Sequence, residues 1–167
     1  YQNNLLNAAP ILTKYNFSST CYIVSERIGM SNSWDLDNGI TQRPLMTEYE
    51  IKEWLNLGMD IGAHTKTHAD LTNISKEMAY REINDSKTQL EKKFNIKVTD
   101  FCYPFGRSNE LIYSMTKNSS FLTATSMQRG RVNFQSDMYM LPRIPINHRT
   151  LPHLFLAKIL TKYEDKK

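Results

Sequence analysis

The stretch M-D-I-G-A-H-T-K-T-H, residues 59–68, marks the end of one predicted strand and the start of a histidine-rich loop. Its first half is a short apolar run typical of a buried strand, and its second half places His64 and His68 four residues apart. If the chain enters a helical turn at His64, both imidazoles lie on one face and can bind one divalent metal ion. A catalytic metal site usually has a third protein ligand, so other parts of the chain become relevant.

Strand-like and helical patterns alternate on both sides of this stretch. Strands are predicted at 19–25, 59–63, 98–103, 121–125 and 139–146, and helices at 5–12, 47–58, 75–95, 108–115 and 150–160. Residues 28–43 show little periodicity, which predicts a long loop. About five alternations favour an α/β fold with a parallel sheet or barrel. In parallel barrels the catalytic residues lie at the C-terminal ends of the strands. Three segments follow such predicted ends: His64, the Pro104-Phe105-Gly106 turn and the Arg129 loop.

Polar residues at the starts of the helical patterns predict their N-caps. Thr47 followed by Glu50 has the spacing of a capping box, in which each side chain bonds the backbone of the other residue. Ser75, Ser108 and Thr150 stand at the predicted starts of the later helices. These positions therefore predict where three further helices begin.

Composition predicts a globular protein of one domain, residues 1–167, with 40% hydrophobic and 23% charged residues. The net charge of +4 is modest, and the basic residues lack the interleaved aromatics of a nucleic-acid groove, so we expect no nucleic-acid partner. No apolar run is long enough to span a membrane.

Cys21 and Cys102 lie in strand-like runs, where two buried free thiols are favoured over a disulfide. The chain opens on Tyr1 rather than Met, so the lack of a signal peptide carries little information.

Four segments occur in an order that points to a known family. They are Y-Q-N-N-L-L-N-A-A-P with the strand that follows it, H-T-K-T-H, F-C-Y-P-F-G and L-P-R-I. Together they resemble the polysaccharide deacetylases (carbohydrate esterase family four, the chitooligosaccharide deacetylase-like domain), and among these the exopolysaccharide poly-N-acetylglucosamine deacetylase branch. The resemblance runs from residue 1 to about residue 146. It implies an irregular or incomplete (β/α) barrel from which the first strand is missing.

The resemblance implies a metal-dependent hydrolase, most often with zinc, that removes acetyl groups from N-acetylated sugars of a polysaccharide or oligosaccharide. His64 and His68 match the family's two imidazole ligands. Phe105 occupies the position whose backbone N–H is expected to stabilise the tetrahedral oxyanion, an interaction worth about 3 kcal/mol. Tyr103 and Pro104 belong to the same motif and are expected to bind substrate. A protease is disfavoured, because the spacer lacks the Glu of the H-E-x-x-H motif.

The chain also departs from the family pattern. The Asp-Asp-Gly motif, which supplies the general base and the third metal ligand, would lie immediately before Tyr1, so we expect a domain truncated at its N-terminus and inactive by itself. The Arg-Pro-Pro-aromatic-Gly motif reads C-Y-P-F-G here, and Arg143 becomes the candidate for orienting the base. The Leu-x-His motif of the general acid has no clear match; His148 and His153 are candidates by position only.

Aromatic residues suggest where a sugar ring can stack. Trp34 lies in the long polar loop and is the candidate sugar platform, whereas Trp54 lies in a helical stripe typical of the core. A non-catalytic glycan-binding domain that keeps the fold without the base is the alternative function. A third alternative is a structural metal site in an unrelated α/β protein. This alternative explains the His pair but not the later motifs. The resemblance implies an extracytoplasmic location, in the cell envelope or secreted, and leaves the oligomeric state open.

Overall fold

The computed structural model describes residues 1–165, with positions 37 and 38 described by their backbone alone. Lys166 and Lys167 lie outside the described residues. Five strands form one sheet: β1 (Thr20–Ile23), β2 (Asp60–Ala63), β3 (Asp100–Cys102), β4 (Thr123–Arg129) and β5 (Leu141–Arg143). Neighbouring strands follow the order of the chain, and every pair is parallel. This is the strand arrangement of successive βα units.

In residues 1–165 five helices accompany the strands: one precedes β1, three lie between successive strands from β1 to β4, and one follows β5. They are α1 (Ala9–Lys14), which follows a π-helical turn at Asn4–Ala8, then α2 (Glu48–Asn56), α3 (Lys76–Phe94), α4 (Glu110–Asn118) and α5 (Pro152–Leu160). Short 3-10 segments occur at Ser25–Arg27, Ser33–Asn38 and Pro104–Gly106. Within the described residues β1 and β5 are the edges of the sheet, so the barrel is incomplete. The α/β fold and the alternation predicted from the sequence are confirmed.

One apolar cluster joins the sheet to the helices. Ile51, Ile83, Leu90, Phe101 and Phe121 are each 1% exposed or less, and burying an apolar side chain of this size stabilises the fold by about 1.5–3 kcal/mol. Trp54 belongs to this cluster, as predicted, and its indole N–H donates to the Asp60 carbonyl at 2.8 Å. The two cysteines are buried free thiols, which was also predicted.

Two predicted helix starts are confirmed. Thr47 and Glu50 form the full capping box, in which the Glu50 N–H donates to Thr47 Oγ1 and the Thr47 N–H donates to Glu50 Oε2. Ser75 accepts a hydrogen bond from the Met78 N–H at 3.2 Å and caps α3. Both helices therefore begin where local side chains satisfy the free N–H groups of the first turn.

The other two predicted caps are wrong. Asn109, not Ser108, caps α4, because its extended backbone lets Oδ1 accept from the Ile112 N–H at 3.0 Å. Helix α5 begins at Pro152 without a side-chain cap, since proline at the first helical position has no N–H to satisfy. Thr150 instead closes the preceding turn, where its hydroxyl accepts from the Asn147 N–H. None of the helices among residues 1–165 is both long enough and apolar enough to cross a membrane.

Candidate active site

The segment from His64 to His68 leaves β2 as an irregular loop, so the helical turn proposed from the spacing is wrong. Thr65 and His68 have left-handed backbones, with φ of 63° and 69°. The fully buried Thr65 hydroxyl donates to the His64 carbonyl at 2.6 Å and accepts from the His68 N–H at 3.0 Å, which replaces helical bonds with a local turn. The two imidazoles nevertheless meet edge to face, with ring centroids 4.8 Å apart.

A backbone carbonyl orients His64. The Nδ1 atom of His64 lies 2.6 Å from the carbonyl oxygen of Cys102, at the end of the neighbouring strand β3. A carbonyl oxygen only accepts hydrogen bonds, so Nδ1 carries the proton and Nε2 keeps a free lone pair. Metal-binding histidines are commonly oriented by such an outer partner. His64 is therefore set to offer Nε2 to a metal ion.

His68 has the surroundings of a neutral metal ligand. Its Nδ1 atom is buried and has no hydrogen-bond partner among the described residues, a rare state for a buried polar atom. Burial, and then the neighbouring His64, lower the pKa of His68 to about 4. The ring is therefore neutral at pH 7, which is the form that binds metals. The unpaired nitrogen and the oriented His64 ring both fit a divalent metal ion.

The two histidines open onto a pocket of about 310 Å³. The indole of Trp34 stacks on the His68 ring, with centroids 4.5 Å apart and planes 17° apart. Asp35 also lines the pocket, whose remaining wall is mostly apolar and includes Ile23, Val24, Ile28, Leu45, Met46 and Ile51. Pockets of this kind, apolar with a few converging polar groups, are typical of ligand sites.

Trp34 is presented by a loop that is itself tied down. Asn32 is 1% exposed; its Oδ1 accepts from the Arg43 N–H at 2.6 Å and its Nδ2 donates to Asp35 at 3.0 Å. An isolated antiparallel bridge joins Ser31 to Pro44. The segment predicted as an irregular loop therefore contains a 3-10 turn, Ser33–Asn38, closed at its base. This geometry holds the indole over His68.

The Pro104-Phe105-Gly106 turn forms the opposite side of the site. Phe105 has a left-handed backbone, with φ of 56°, and its ring lies 4.7 Å from that of His68. The next two N–H groups are used inside the turn, by Gly106 on the Tyr103 carbonyl and by Arg107 on the Pro104 carbonyl. Within residues 1–165 the Phe105 N–H makes none of the backbone hydrogen bonds that join the turns, loops and caps. The role of the Phe105 N–H as an oxyanion donor, expected from the family motif, stays a prediction.

Comparison with known proteins identifies the family of this chain. A model of the family described as polysaccharide deacetylase matches residues 1–122. The chain belongs to this family. The poly-beta-1,6-N-acetyl-D-glucosamine N-deacetylase of Staphylococcus aureus (strain MSSA476) is 28% identical over 159 residues, which cover 89% of this chain and 52% of that protein. The chain spans about half the length of the curated relatives it matches.

Solved structures share the fold of this polysaccharide deacetylase chain. The Streptococcus pyogenes deacetylase PplD in complex with acetate superposes with a TM-score of 0.80 at 24% identity, over 94% of this chain and 65% of that one. BC0361, a polysaccharide deacetylase from Bacillus cereus, superposes with a TM-score of 0.78 at 25% identity, over 94% of this chain and 48% of that one. The incomplete barrel is therefore that of the polysaccharide deacetylases.

Two residues of the deacetylase motif lie in the core rather than in the pocket. Tyr103 is 1% exposed, and its hydroxyl donates to the Tyr139 carbonyl at 3.0 Å. Pro104 is also buried. The expectation that these two side chains contact the substrate is therefore corrected: Tyr103 packs against Phe101 in the apolar cluster, and Pro104 starts the turn that presents Phe105. Their contribution to the site is made through the backbone.

Arg143 lies at the end of β5 with an exposed side chain, and its Nε donates to the Ser126 carbonyl at 2.9 Å. The positive charge of Arg143 acts to lower the pKa of the pocket residue Tyr22. Burial is the larger cause, and the pKa of Tyr22 is raised as a result. No carboxylate among the described residues pairs with Arg143, so its role in orienting a base stays a prediction. His148 and His153 are exposed and do not line the pocket.

The described residues bring together two candidate metal ligands, His64 and His68, and no third. No group of three or more His, Cys, Asp or Glu side chains in this part of the chain is placed to hold a metal ion. Asp70, the carboxylate nearest to His68 in sequence, is paired with Arg107 and also accepts from the Thr72 hydroxyl. The polysaccharide deacetylase family is generally metal-dependent. The Asp-Asp-Gly motif expected before Tyr1 concerns residues beyond this chain and stays a prediction.

Lowering the pH is expected to destabilise the metal-free deacetylase domain through His68. Its pKa of about 4 lies below the ordinary 6.5, so between these values the unfolded chain binds a proton that the folded chain does not. Stability is therefore lost as the pH falls through this window, by about 1–2 kcal/mol after allowance for partial exposure of the ring. Urea unfolding at pH 7 and pH 4.5, with chelator present, measures the change. If His68→Gln shows the same loss, another group is responsible.

Proposed function

We propose that the protein is a metal-dependent hydrolase that removes acetyl groups from N-acetylated sugars of a polysaccharide. One observation carries this proposal: His64, His68 and Phe105, whose backbone N–H is the expected oxyanion donor, line a single pocket. Family membership supports the reaction class. The name of the Staphylococcus aureus relative supports a polymer of N-acetylglucosamine as the substrate.

We assign His64 and His68 as two ligands of a divalent metal ion, and zinc is the ion we expect. Zinc takes neutral imidazole readily and leaves a coordination position for water in catalytic sites. When bound, the metal supplies a Lewis acid for the acetyl carbonyl and a water molecule of lowered pKa. The two observations that support the assignment are the His64 tautomer and the unpaired Nδ1 of His68.

The chain's own groups orient the substrate and stabilise developing charge. Addition of water across the amide breaks the C–N bond and yields acetate and the free amine of the sugar. The Phe105 N–H donates to the carbonyl oxygen as that oxygen gains negative charge, and its left-handed backbone fixes the direction of this N–H. The carbonyl of Cys102 keeps His64 in one tautomer throughout. Trp34 offers a flat face beside the histidines for a sugar ring.

Acetate release from N-acetylglucosamine oligomers tests the proposal. The whole protein, stripped of metal, is incubated with β-1,6- and β-1,4-linked oligomers before and after zinc is returned. We expect acetate only with zinc, and preference for the β-1,6 oligomer would match the named relative. Release of acetate at an unchanged rate without metal would contradict the proposal.

A non-catalytic glycan-binding domain is the second candidate. It is favoured by the finding that the described residues provide two metal ligands rather than three. Under this alternative the oligomers bind with measurable affinity, and zinc produces no acetate. Calorimetric titration of the same oligomers into the zinc-loaded protein, run beside the acetate assay, distinguishes the two functions.

Trp34→Ala is expected to raise the KM for the oligomer about 5- to 10-fold, since loss of an aromatic stacking contact costs about 1–1.5 kcal/mol. Trp34→Phe keeps a flat ring and is expected to stay within about 3-fold of the native KM. Tyr49→Ala is the control, because Tyr49 is an exposed aromatic, 72% accessible, outside the pocket. Steady-state kinetics on the oligomer measures the KM of each variant. An equal increase of KM in both alanine variants would remove Trp34 from the binding site.

We propose an extracytoplasmic location for the whole protein, in the cell envelope or secreted. The argument is chemical: an enzyme that acts on a long polysaccharide has to reach the compartment in which that polymer accumulates. The named substrate of the Staphylococcus aureus relative supports a polymer of this kind. Cell fractionation with an antibody to this domain tests the location, and recovery in the cytoplasm alone would contradict it.

A further inference from the structure

Helix α3 places a buried carboxylate directly under the histidine loop. Glu82 is 9% exposed, and its Oε2 atom accepts from the N–H groups of Lys66 and Thr67, both at 2.9 Å. Its other oxygen, Oε1, accepts from the Thr67 hydroxyl at 2.8 Å. All three donors belong to the segment between His64 and His68. One side chain therefore holds the whole connection between the two imidazoles.

The position of Glu82 on α3 shows that its contacts matter to the fold. It lies on the helix face that packs against the rest of the protein, next to Ile83 and one turn from Ala79 and Ser86, all 1% exposed or less. A carboxylate on such a face costs free energy unless hydrogen bonds compensate for its lost hydration. Two backbone N–H groups and one hydroxyl provide that compensation, and hydrogen bonds to a charged acceptor are the strong ones.

The loop is held from its other side as well. The N–H groups of Ser25 and Glu26, just after β1, donate to the carbonyls of Thr65 and Lys66 at 3.1 and 2.9 Å. These bonds fix the carbonyl side of the loop, while Glu82 fixes its N–H side. The Lys66 ammonium adds ion pairs to Glu26 and to Asp85, one turn further along α3. The direction of both rings therefore depends on α3 as well as on the sheet.

We infer that Glu82 is a positioning residue for the metal pair: it holds residues 66 and 67 so that His64 and His68 keep the separation that one metal ion requires. This inference rests on the proposed metal site. Glu82 does not line the pocket, so it acts through the loop and not on the metal or the substrate. Outer partners that orient metal ligands typically change metal affinity by about 10–100-fold when they are removed.

Glu82→Gln is the decisive variant, and Glu77→Gln is its matched control. Glutamine keeps the shape of the side chain but carries one acceptor oxygen, so the N–H pair and the hydroxyl no longer both find an acceptor. Glu77 lies on the same helix, exposed, and makes no hydrogen bond to the loop. Thr67→Val removes only the hydroxyl bond and serves if Glu82→Gln fails to fold. Circular dichroism and urea unfolding establish that each variant is folded.

Three readouts are compared in folded protein. Amide hydrogen exchange at Lys66 and Thr67, without metal, is expected to accelerate at least about 10-fold in Glu82→Gln. Zinc affinity is expected to fall about 10–100-fold, and a smaller fall is expected in Thr67→Val. The visible spectrum of bound Co²⁺, a probe of ligand geometry, is expected to change in Glu82→Gln and to stay native in Glu77→Gln.

The outcomes separate this inference from the proposed function. If the native protein binds zinc and both Glu82→Gln and Thr67→Val bind it equally well with a native Co²⁺ spectrum, Glu82 is structural only and the inference is overturned. If the native protein binds no divalent metal ion at all, the proposed metal site fails and the inference fails with it. Weaker zinc binding in a stably folded Glu82→Gln, with Glu77→Gln unchanged, establishes the positioning role.

Discussion

Replacement of both imidazoles, in His64→Ala/His68→Ala, is expected to abolish zinc binding and, in the whole protein, acetate release. In the proposed site each ring supplies a nitrogen to the same ion, and the two ring centroids lie 4.8 Å apart. Loss of a residue that only orients a metal ligand can weaken metal binding by about 100-fold. Removal of either imidazole, which is itself a proposed ligand, should weaken zinc binding by more than that. Single and double variants should therefore look alike in activity, as expected for groups that act as one unit.

His153→Ala is the control for this experiment. His153 lies on α5 with an exposed side chain and does not line the pocket, so its removal should leave zinc affinity and activity at the native level. Isothermal titration with zinc and a coupled acetate assay are the measurements. The metal assignment would be wrong if the double variant still bound one zinc ion with native affinity.

The second large effect is expected at Gly106. A Cβ atom at this position would lie 2.4 Å from the Cβ of Met127 and 2.8 Å from its backbone nitrogen, so β4 or the turn has to move. The backbone is also left-handed, with φ of 64°. Left-handed strain costs about 1–2 kcal/mol, and overpacking adds about 1–3 kcal/mol. Gly106→Ala is therefore expected to lower the free energy of unfolding by about 2–5 kcal/mol.

The turn that moves is the one that presents the Phe105 N–H. A displaced donor no longer meets the developing oxyanion, and loss of one such donor costs about 100–1000-fold in kcat. We therefore expect Gly106→Ala, where it remains folded, to lose activity through kcat while zinc affinity stays near native. Urea unfolding and steady-state kinetics give the two numbers.

Gly58→Ala separates strain from collision. Gly58 also has a left-handed backbone, with φ of 78°, but a Cβ atom there meets nothing within 4 Å. It should therefore show the strain of about 1–2 kcal/mol and keep native kcat. If Gly106→Ala is no more destabilising than Gly58→Ala and keeps native kcat, the close approach to Met127 does not control the turn.

The sequence was sufficient where local chemistry sets the structure. Thr47 and Glu50 form their capping box from neighbouring atoms, and the apolar period places Trp54 in the core. The strand-and-helix alternation follows from the same kind of pattern. The candidate histidines were also found by spacing, and the structure places them together. These features depend on contacts within one element or between neighbouring elements.

Predictions from the sequence failed where contacts with residues far away in the chain determine the local structure. The loop at His64 is not helical, because the Thr65 hydroxyl and the Glu82 carboxylate satisfy its N–H groups instead. Tyr103 packs in the apolar cluster, and its buried hydroxyl is satisfied by the carbonyl of Tyr139, 36 positions later. A single sequence does not show which residues so far apart in the chain lie close together in space.

Glu82 was missed for a related reason, although the sequence carried a weak signal. It stands in the apolar stripe of α3, between Ala79 and Ile83, where a carboxylate is unusual. A charged residue on the buried face of an amphipathic helix predicts a compensating partner. The pattern does not say which loop supplies that partner, and only the fold brings Lys66 and Thr67 to the carboxylate.

The most direct test of the central claim is acetate release by the whole protein after metal removal and after return of one equivalent of zinc. The substrate is a β-1,6-linked N-acetylglucosamine oligomer, and the His64→Ala/His68→Ala variant is measured beside the native protein. We expect that chelation stops acetate release, that zinc restores it in the native protein, and that zinc does not restore it in the variant. Zinc-loaded protein that binds the oligomer but releases no acetate would contradict the account and identify a glycan-binding domain.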